Sequence, residues 1–467
     1  MIAAVSQTEA FPISQSSPRV PVRRPVASSG IMERMDMSPF AKRRRDLMQH
    51  MGGGVAIIPT APLRTRNRDI FFPYRPDSDF YYLTHFPEPE AVAVLVPGRT
   101  HGEYLLFCRE KNAEKETWEG RRAGLEGARE RYGADDAFPI DDIDEILPGL
   151  LENREKVFYS MGRDAEFDAH LMGWVNEVRA KARNGVHAPG EFVDLNHMLH
   201  EMRLFKSADE IKLMRRAAKI SSAAHRRAMQ ACKPGKMEHE IEAELWYEFK
   251  KGGSAFPAYP SIVGGGANSC ILHYSENNAE LKSGDMLLID AGAEFDGYAA
   301  DITRSFPVNG KFTPEQRDVY QIVLAAQAAA IAEVRPGKHW NEPHDAAVRI
   351  LTDGLVQLKL LKGKVDAHIE DGSYKRFYMH RTGHWLGMDV HDVGDYKVHD
   401  EWRLLEPGMV LTVEPGLYIG ASDDIPKGFH NVGIRIEDDV LVTRDGHDVL
   451  SKDTPKEIGE IELLMKG

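Results

Sequence analysis

The chain has 467 residues, a formal net charge of −13, 42% hydrophobic and 28% charged residues. That length suggests two or three domains with ample core, and the acidic balance argues against nucleic acid or an anionic membrane surface as a partner. No apolar run approaches the ~20 residues of a membrane span, and three cysteines without ligand spacing, Cys108, Cys232 and Cys270, exclude a disulfide scaffold and fit a reducing compartment.

Residues 1–30 hold six Ser and four Pro without periodicity, which predicts a disordered tail over 1–35. Met32, Met35 and Met37 are alternative starts. No apolar stretch of signal-peptide type follows the first charges, so the expected location is cytoplasmic. Arg19, Arg23 and Arg24 among serines leave an organelle-transit reading open. Strands are expected at Val55–Pro59, Ala91–Pro97 and Tyr104–Arg109, and helices at Ala41–Met51 and Ala165–Ala182, giving an α/β domain over 36–204. A second domain, α+β, is expected over 205–467. It opens with a capping box, Ser207 to Glu210, followed by apolar Ile211, Met214, Ala218 and Ala224. That helix stops at Lys233-Pro234-Gly235. A second helix carries Ile241, Leu245 and Phe249 on one stripe between Glu238 and Lys251. A third starts at Thr313-Pro314-Glu315-Gln316, again a capping box, and a fourth spans 343–361. Strands are expected between and after these helices, at 286–294, 298–308, 410–419 and 433–442. The order helix, helix, strand pair thus occurs twice and suggests two similar halves.

The informative stretch is MLLIDAGAEFDGYAADITRSFPV, residues 286–308. Asp296-Gly297 is a two-residue hairpin signal. With that turn, Asp290 falls opposite Thr303, and Asp301 lies on the same face, roughly 7–8 Å from Asp290 at the backbone. Two carboxylates that close on an apolar sheet call for a cation; solvated carboxylates on a plain hairpin are the rival reading. Glu414, in VLTVEPGLYIG, and Glu437, in VGIRIEDDVLV, add two more acids in apolar runs, and Arg435 shares a face with Glu437. His380, His384 and His391 cluster in HRTGHWLGMDVHD, and His273 stands in SCILHYSEN, where the end of an apolar strand is expected. Glycines at 383 and 387 favour a loop or short strand there, and no Glu follows His380, so this is not a zincin helix. Four carboxylates match the charge of two divalent ions. With one imidazole in the set, the shell suits Mn²⁺ or a similar hard ion. Such a pair generates hydroxide near neutral pH, and the remaining histidines could stabilise an oxyanion or shuttle protons.

These residues resemble the metallopeptidases of the pita-bread fold, which carry Asp-x10-Asp, a His and two Glu: here Asp290, Asp301, His384, Glu414 and Glu437. The words YPSIVGGGANSCILHYSEN, EPGMVLTVEPGLYIG and GIRIEDD are most similar to the Xaa-Pro aminopeptidase branch, aminopeptidase P. RNRDIFFPYRPDSDFYYLTHFPEPEAV and KETWEGRRAG extend the likeness into the first domain. The resemblance implies a C-terminal pita-bread catalytic domain behind a smaller α/β domain. It also implies two metal ions, most simply Mn²⁺, attacking through a bridging hydroxide. Asp290 would bind one ion, Asp301 and Glu437 bridge both, and His384 and Glu414 hold the other, with Glu414 taking the proton. His273, His380 and His391 would contact the peptide, while Arg435, Thr303, Tyr418 and Asp79 would steady the carboxylates. Trp118 would be lent to a neighbouring subunit, implying a homo-oligomer, a dimer or tetramer. Around Asp392–Glu401 the charge pattern departs from the family, and no role is carried over there. The implied substrates are peptides with proline in the second position; a proline dipeptidase of the same fold is the alternative. The intact ligands argue against the metal-free creatine-hydrolysing relative and against a binding module without chemistry.

Overall fold

The computed structural model describes residues 37–466; the expected tail, with Met32 and Met35, lies outside the described residues. The first domain is built on a six-stranded mixed sheet in the spatial order Asp136–Pro139, Tyr104–Cys108, Val92–Leu95, Val55–Pro59, Lys156–Phe158, Glu191–Val193. The strand at 91–97 is thus shorter than expected. Its side chains alternate between two apolar layers. Val55 and Ile57 face the layer containing Trp174 of helix Ala165–Ala180, and Ala56 and Ile58 face the layer containing Leu47 of helix Ser38–Met51. Helices therefore cover both faces, which is why these strands read as continuous apolar runs rather than alternating ones.

The second layer is shared. Phe80 and Phe86 of the first domain pack in one cluster with Tyr298, Ala299, Leu386, Met388 and Val410. The first domain is thereby seated on the tip of the hairpin that starts at Met286.

Two helix pairs frame the remaining core: Ala208–Ala231 with Glu238–Gly252, and Pro314–Glu333 with Glu342–Gln357. The capping boxes at Ser207 and Thr313 both form. Each helix pair is followed by a long hairpin, so the repeated order seen in the sequence is present in the structure.

Neither hairpin is continuous. In the first, Met286–Asp290 pairs with Thr303–Pro307, and Ala293–Phe295 pairs with Tyr298–Ala299 in a different sheet. Between them, the Ala291 N–H donates to Ile302 O and the Ala300 N–H to Ala293 O, each at 3.1 Å. One register therefore runs through the break, and Asp290 does face Thr303. Gly292 permits the crossing, since a Cβ there would lie 1.6 Å from Ala300 O. In the second hairpin, Val410–Val413 pairs with Asp438–Val442, and Gly416–Ile419 with Val432–Arg435. The same register brings Glu414 opposite Glu437 in the gap. Pro415 has no N–H for a ladder, and its carbonyl instead accepts from Ile436 N–H at 3.3 Å. The uninterrupted strands expected from the apolar runs are corrected here: each run changes sheets at its acidic residue.

Candidate metal centre

The two breaks meet. The Glu437 N–H donates to Thr303 O at 3.1 Å, and the Thr303 hydroxyl donates to the Glu437 carboxylate at 2.6 Å. Ligand atoms of Asp301, His384 and Glu437 lie within 4.8 Å of one another. His384 Nε2 stands 3.3 Å from Asp301 Oδ2 and 3.6 Å from Glu414 Oε1. The Tyr259 hydroxyl lies 2.6 Å from Asp290 Oδ1 and also bonds Asp301, tying the two aspartates together. Asp290, Asp301, His384, Glu414 and Glu437 all line one cavity of about 570 Å³, together with His273, His380, His391 and Arg435.

His384 is placed by backbone. Its N–H donates to the Thr412 hydroxyl at 3.1 Å, its carbonyl accepts from the Thr412 N–H at 3.0 Å, and its Nδ1 lies 3.0 Å from Trp385 O. Gly383 allows this approach, because a Cβ there would meet Thr412 O at 2.0 Å. The loop nature of 380–391 follows the sequence reading. His273 does not: it stands exposed in a turn after the short helix Gly266–Cys270, not at a strand end.

Arg435 reaches Asp290 Oδ2 at 2.7 Å, the Thr303 hydroxyl at 3.1 Å and the Tyr418 hydroxyl at 2.8 Å. His380 Nε2 lies 2.8 Å from the same Tyr418 hydroxyl. Thr303 and Tyr418 thus stand behind the cavity and hold its lining. Asp79 belongs elsewhere. Its carboxylate accepts from Arg203 at 2.8 Å and Arg163 at 3.0 Å and does not line the cavity; of the two arginines, Arg203 goes on to pair with Asp389 and Asp392 of the loop after Trp385. The expectation that it steadies the ligands directly is corrected. Trp118 is 85% exposed on helix Ala113–Glu119 and does not line the cavity.

The electrostatics are those of an acidic cluster with more carboxylates than the one guanidinium of Arg435 can balance. Burial, reinforced by Asp301 and Glu414, pushes the Glu437 carboxyl well above its usual range. Burial pushes Glu414 up to about 7, and burial likewise raises Asp290 against the pull of Arg435. Burial opposes charge on His384, yet its hydrogen bond to Asp301 and the nearby Glu414 raise it to about 9. Burial also acts on Asp301, but the bond to His384 outweighs it and lowers the carboxyl. Without a metal, the imidazolium of His384 supplies the missing positive charge. A divalent cation would take that role and leave the ring a neutral ligand. The donor set fits such an ion: oxygen-rich, buried and short of positive charge.

The model of metallopeptidase family M24 matches residues 212–444, and that of the aminopeptidase P N-terminal domain matches residues 40–159. The chain is 45% identical over 436 residues to the Xaa-Pro aminopeptidase of Escherichia coli, an alignment covering 93% of this chain and 99% of that one. It belongs to metallopeptidase family M24. Among solved structures, the Pseudomonas aeruginosa aminopeptidase PepP is 58% identical with a TM-score of 0.92, covering 93% of this chain and 99% of that one. A Zn-substituted Escherichia coli aminopeptidase P in complex with product is 44% identical with a TM-score of 0.90, over 92% of this chain and 98% of that one.

The M24 cluster contains side chains that the sequence reading missed. Tyr259 bridges the two aspartates from the start of YPSIVGG, where an aromatic hydroxyl beside an apolar run was the available signal. Asp439 accepts the Asp301 N–H at 3.1 Å; it sits in the EDD triplet, masked by Glu437. Buried Asp392, Arg203 and Lys206, with partly exposed Asp389, form an ionic group beside His391. No local pattern marks such a group, since its members come from distant segments.

Proposed function

We propose that this chain is a metal-dependent Xaa-Pro aminopeptidase, releasing the N-terminal residue from peptides with proline second. The observation that carries this is the convergence of Asp301, His384 and Glu437 within 4.8 Å on the wall of a cavity also lined by three further histidines. We take 36–204 as the first domain and 205–467 as the catalytic one, a division supported by the helix end at Leu204 and the capping box at Ser207.

Two divalent ions, Mn²⁺ by the oxygen-rich donor set, would be held by Asp290, by Asp301 and Glu437 between them, and by His384 with Glu414. When bound, they lower the pKa of water and polarise a carbonyl. The chain's own groups do the rest. Glu414, with an affinity for protons near neutrality, is suited to take a proton from water and pass it to the leaving proline nitrogen. Burial and Arg435 push His380 down to about 3, so its ring is neutral and can hydrogen-bond to the peptide without adding charge. His391 and His273 line the same cavity and would position the peptide backbone. Arg435 fixes Asp290 and, through Tyr418, His380.

The bond before proline is a tertiary amide without an N–H. A site that packs the ring and offers no acceptor there leaves nothing unpaired, whereas an alanine peptide would bury an unmatched donor at a cost of about 1–3 kcal/mol. The exposure of Trp118 supports a homo-oligomer, dimer or tetramer, in which that ring is covered by a neighbour. Among the described residues no helix is long and apolar enough to cross a membrane, and we place the protein in the cytoplasm.

The test is kcat/KM on Ala-Pro, Ala-Pro-Ala and Ala-Ala-Ala peptides with Mn²⁺. Cleavage of the proline tripeptide, with the alanine tripeptide slower by one to two decades, is expected. Cleavage of the dipeptide alone would establish the proline dipeptidase instead.

A further inference from the structure

The loop that follows His384 carries His391 and returns past the first domain. Arg203, on helix Asn196–Leu204 at the end of the first domain, points into it. Its side chain is 2% exposed and serves three carboxylates: one nitrogen donates to Asp79 at 2.8 Å, and the other to Asp389 at 2.7 Å and Asp392 at 2.6 Å. Asp392, immediately after His391, is also buried, and its second oxygen accepts from Lys206 at 2.9 Å. Asp389 accepts from the Ser78 hydroxyl at 2.6 Å, and Arg75 donates to Met388 O at 2.7 Å. The turn is tightly closed, with Asp392 N–H on Trp385 O at 2.9 Å. A Cβ on Gly387 would lie 2.1 Å from the Asp392 carboxylate. His391 itself is solvent-facing and touches His384 edge-on, with ring centroids 4.4 Å apart. Its own ring has no hydrogen bond among the described residues that would fix it.

We infer that Arg203 is a positioning residue for catalysis: by holding Asp389 and Asp392 it sets where His391 meets the peptide, and by holding Asp79 it makes that placement depend on the first domain. This rests on the reading above that His391 contacts the peptide. A planar fork suits the task, because one guanidinium can meet several carboxylates in fixed directions where an ammonium acts as a point charge. His384 is not positioned this way. It is bonded to Thr412 and Trp385, so metal binding should survive loosening of the loop.

Charge pairing also favours survival of the fold without Arg203. Asp79 keeps Arg163, Asp392 keeps Lys206, and Asp389 keeps Arg75 at 3.7 Å. The expected effect of Arg203→Ala is a fall in kcat of about 10- to 100-fold, the scale of misplacing a catalytic contact. KM should move less than about threefold and metal content should stay as in the parent. Arg203→Lys should recover part of the lost kcat.

The deciding measurement is a double-mutant cycle with His391→Ala on an Xaa-Pro-Yaa peptide. If Arg203 acts through His391, the double variant is no slower than His391→Ala alone. Independent, multiplying losses would overturn the inference, as would an unchanged kcat in Arg203→Ala. Should that variant fail to fold, Asp389→Asn, at a partly exposed position, is run through the same cycle with the same two outcomes. Failure of the parent to cleave proline peptides would instead strike the functional reading, and is seen before any variant is made.

Discussion

Asp301 answers to three neighbours at once: the Tyr259 hydroxyl, His384 Nε2 at 3.3 Å, and the countercharge that Glu437 also needs. Replacing groups that merely support metal ligands costs about 10- to 100-fold, so Asp301→Ala should cost more than that in turnover. It should also lose at least one bound ion by elemental analysis; full metal content with parental turnover would refute the assignment. Tyr418→Phe tests the other side of the cavity. It removes one hydroxyl shared by Arg435 and His380 and leaves buried donors unpaired, a cost of about 1–3 kcal/mol. A drop in kcat of one to two decades with unchanged metal content is expected. The five acidic and imidazole positions were legible in the sequence because charged residues inside apolar strands are conspicuous. Tyr259 and Arg203 were not, because a tyrosine or arginine beside an apolar run is ordinary until its partner, distant in the chain, is known.

The two hairpins share a design in which register continues while the sheet is interrupted, with Asp301 in one gap and Glu414 and Glu437 in the other. The strand runs, the turn at Asp296 and the pairing of Asp290 with Thr303 could be read from alternation and turn chemistry. The interruptions could not, since an apolar run of ten residues gives no sign of where a ribbon leaves one sheet for another. Gly383 and Gly292 mark places where backbones approach too closely for a Cβ. Gly383→Ala would press a methyl group against Thr412 O, at 2.0 Å before relaxation. Overpacking of this kind costs about 1–3 kcal/mol. A lowered melting temperature together with weaker metal affinity is expected, because the same contact sets His384. Reduced stability with parental affinity would show that His384 is fixed from elsewhere.

For the molecule as a whole, the acidic cluster opposes the fold until a cation arrives. His384, raised to about 9, and Glu414, raised to about 7, both bind protons more tightly folded than unfolded. Stability that depends on those protons is present at low pH and is lost as pH rises through the folded-state values. The neutral buried histidines His225, His344 and His380, all lowered to about 4 or below, act only below their ordinary value of 6.5 and are silent above it. From pH 6.5 to 9 the metal-free protein should therefore lose stability. The metal-loaded protein should be protected, since its ligands are deprotonated to bind. Melting temperatures with chelator and with Mn²⁺ should diverge across that range; convergence would contradict the site. The division into two domains was visible in composition and caps, but their shared core was not, because it is assembled from Phe80, Tyr298, Leu386 and Val410, residues that look like ordinary core of separate units. The tip of the first hairpin shows what this implies. Asp296 accepts from Tyr81 at 3.0 Å and lies 3.1 Å from His85, and Glu294 accepts from Arg75 at 2.6 Å, all first-domain side chains gripping a ribbon whose base bears Asp290 and Asp301. A version cut down to its second half would retain every ligating side chain and lose the grip that aligns them. What can be transplanted or inherited as a working unit is the ribbon together with its handle.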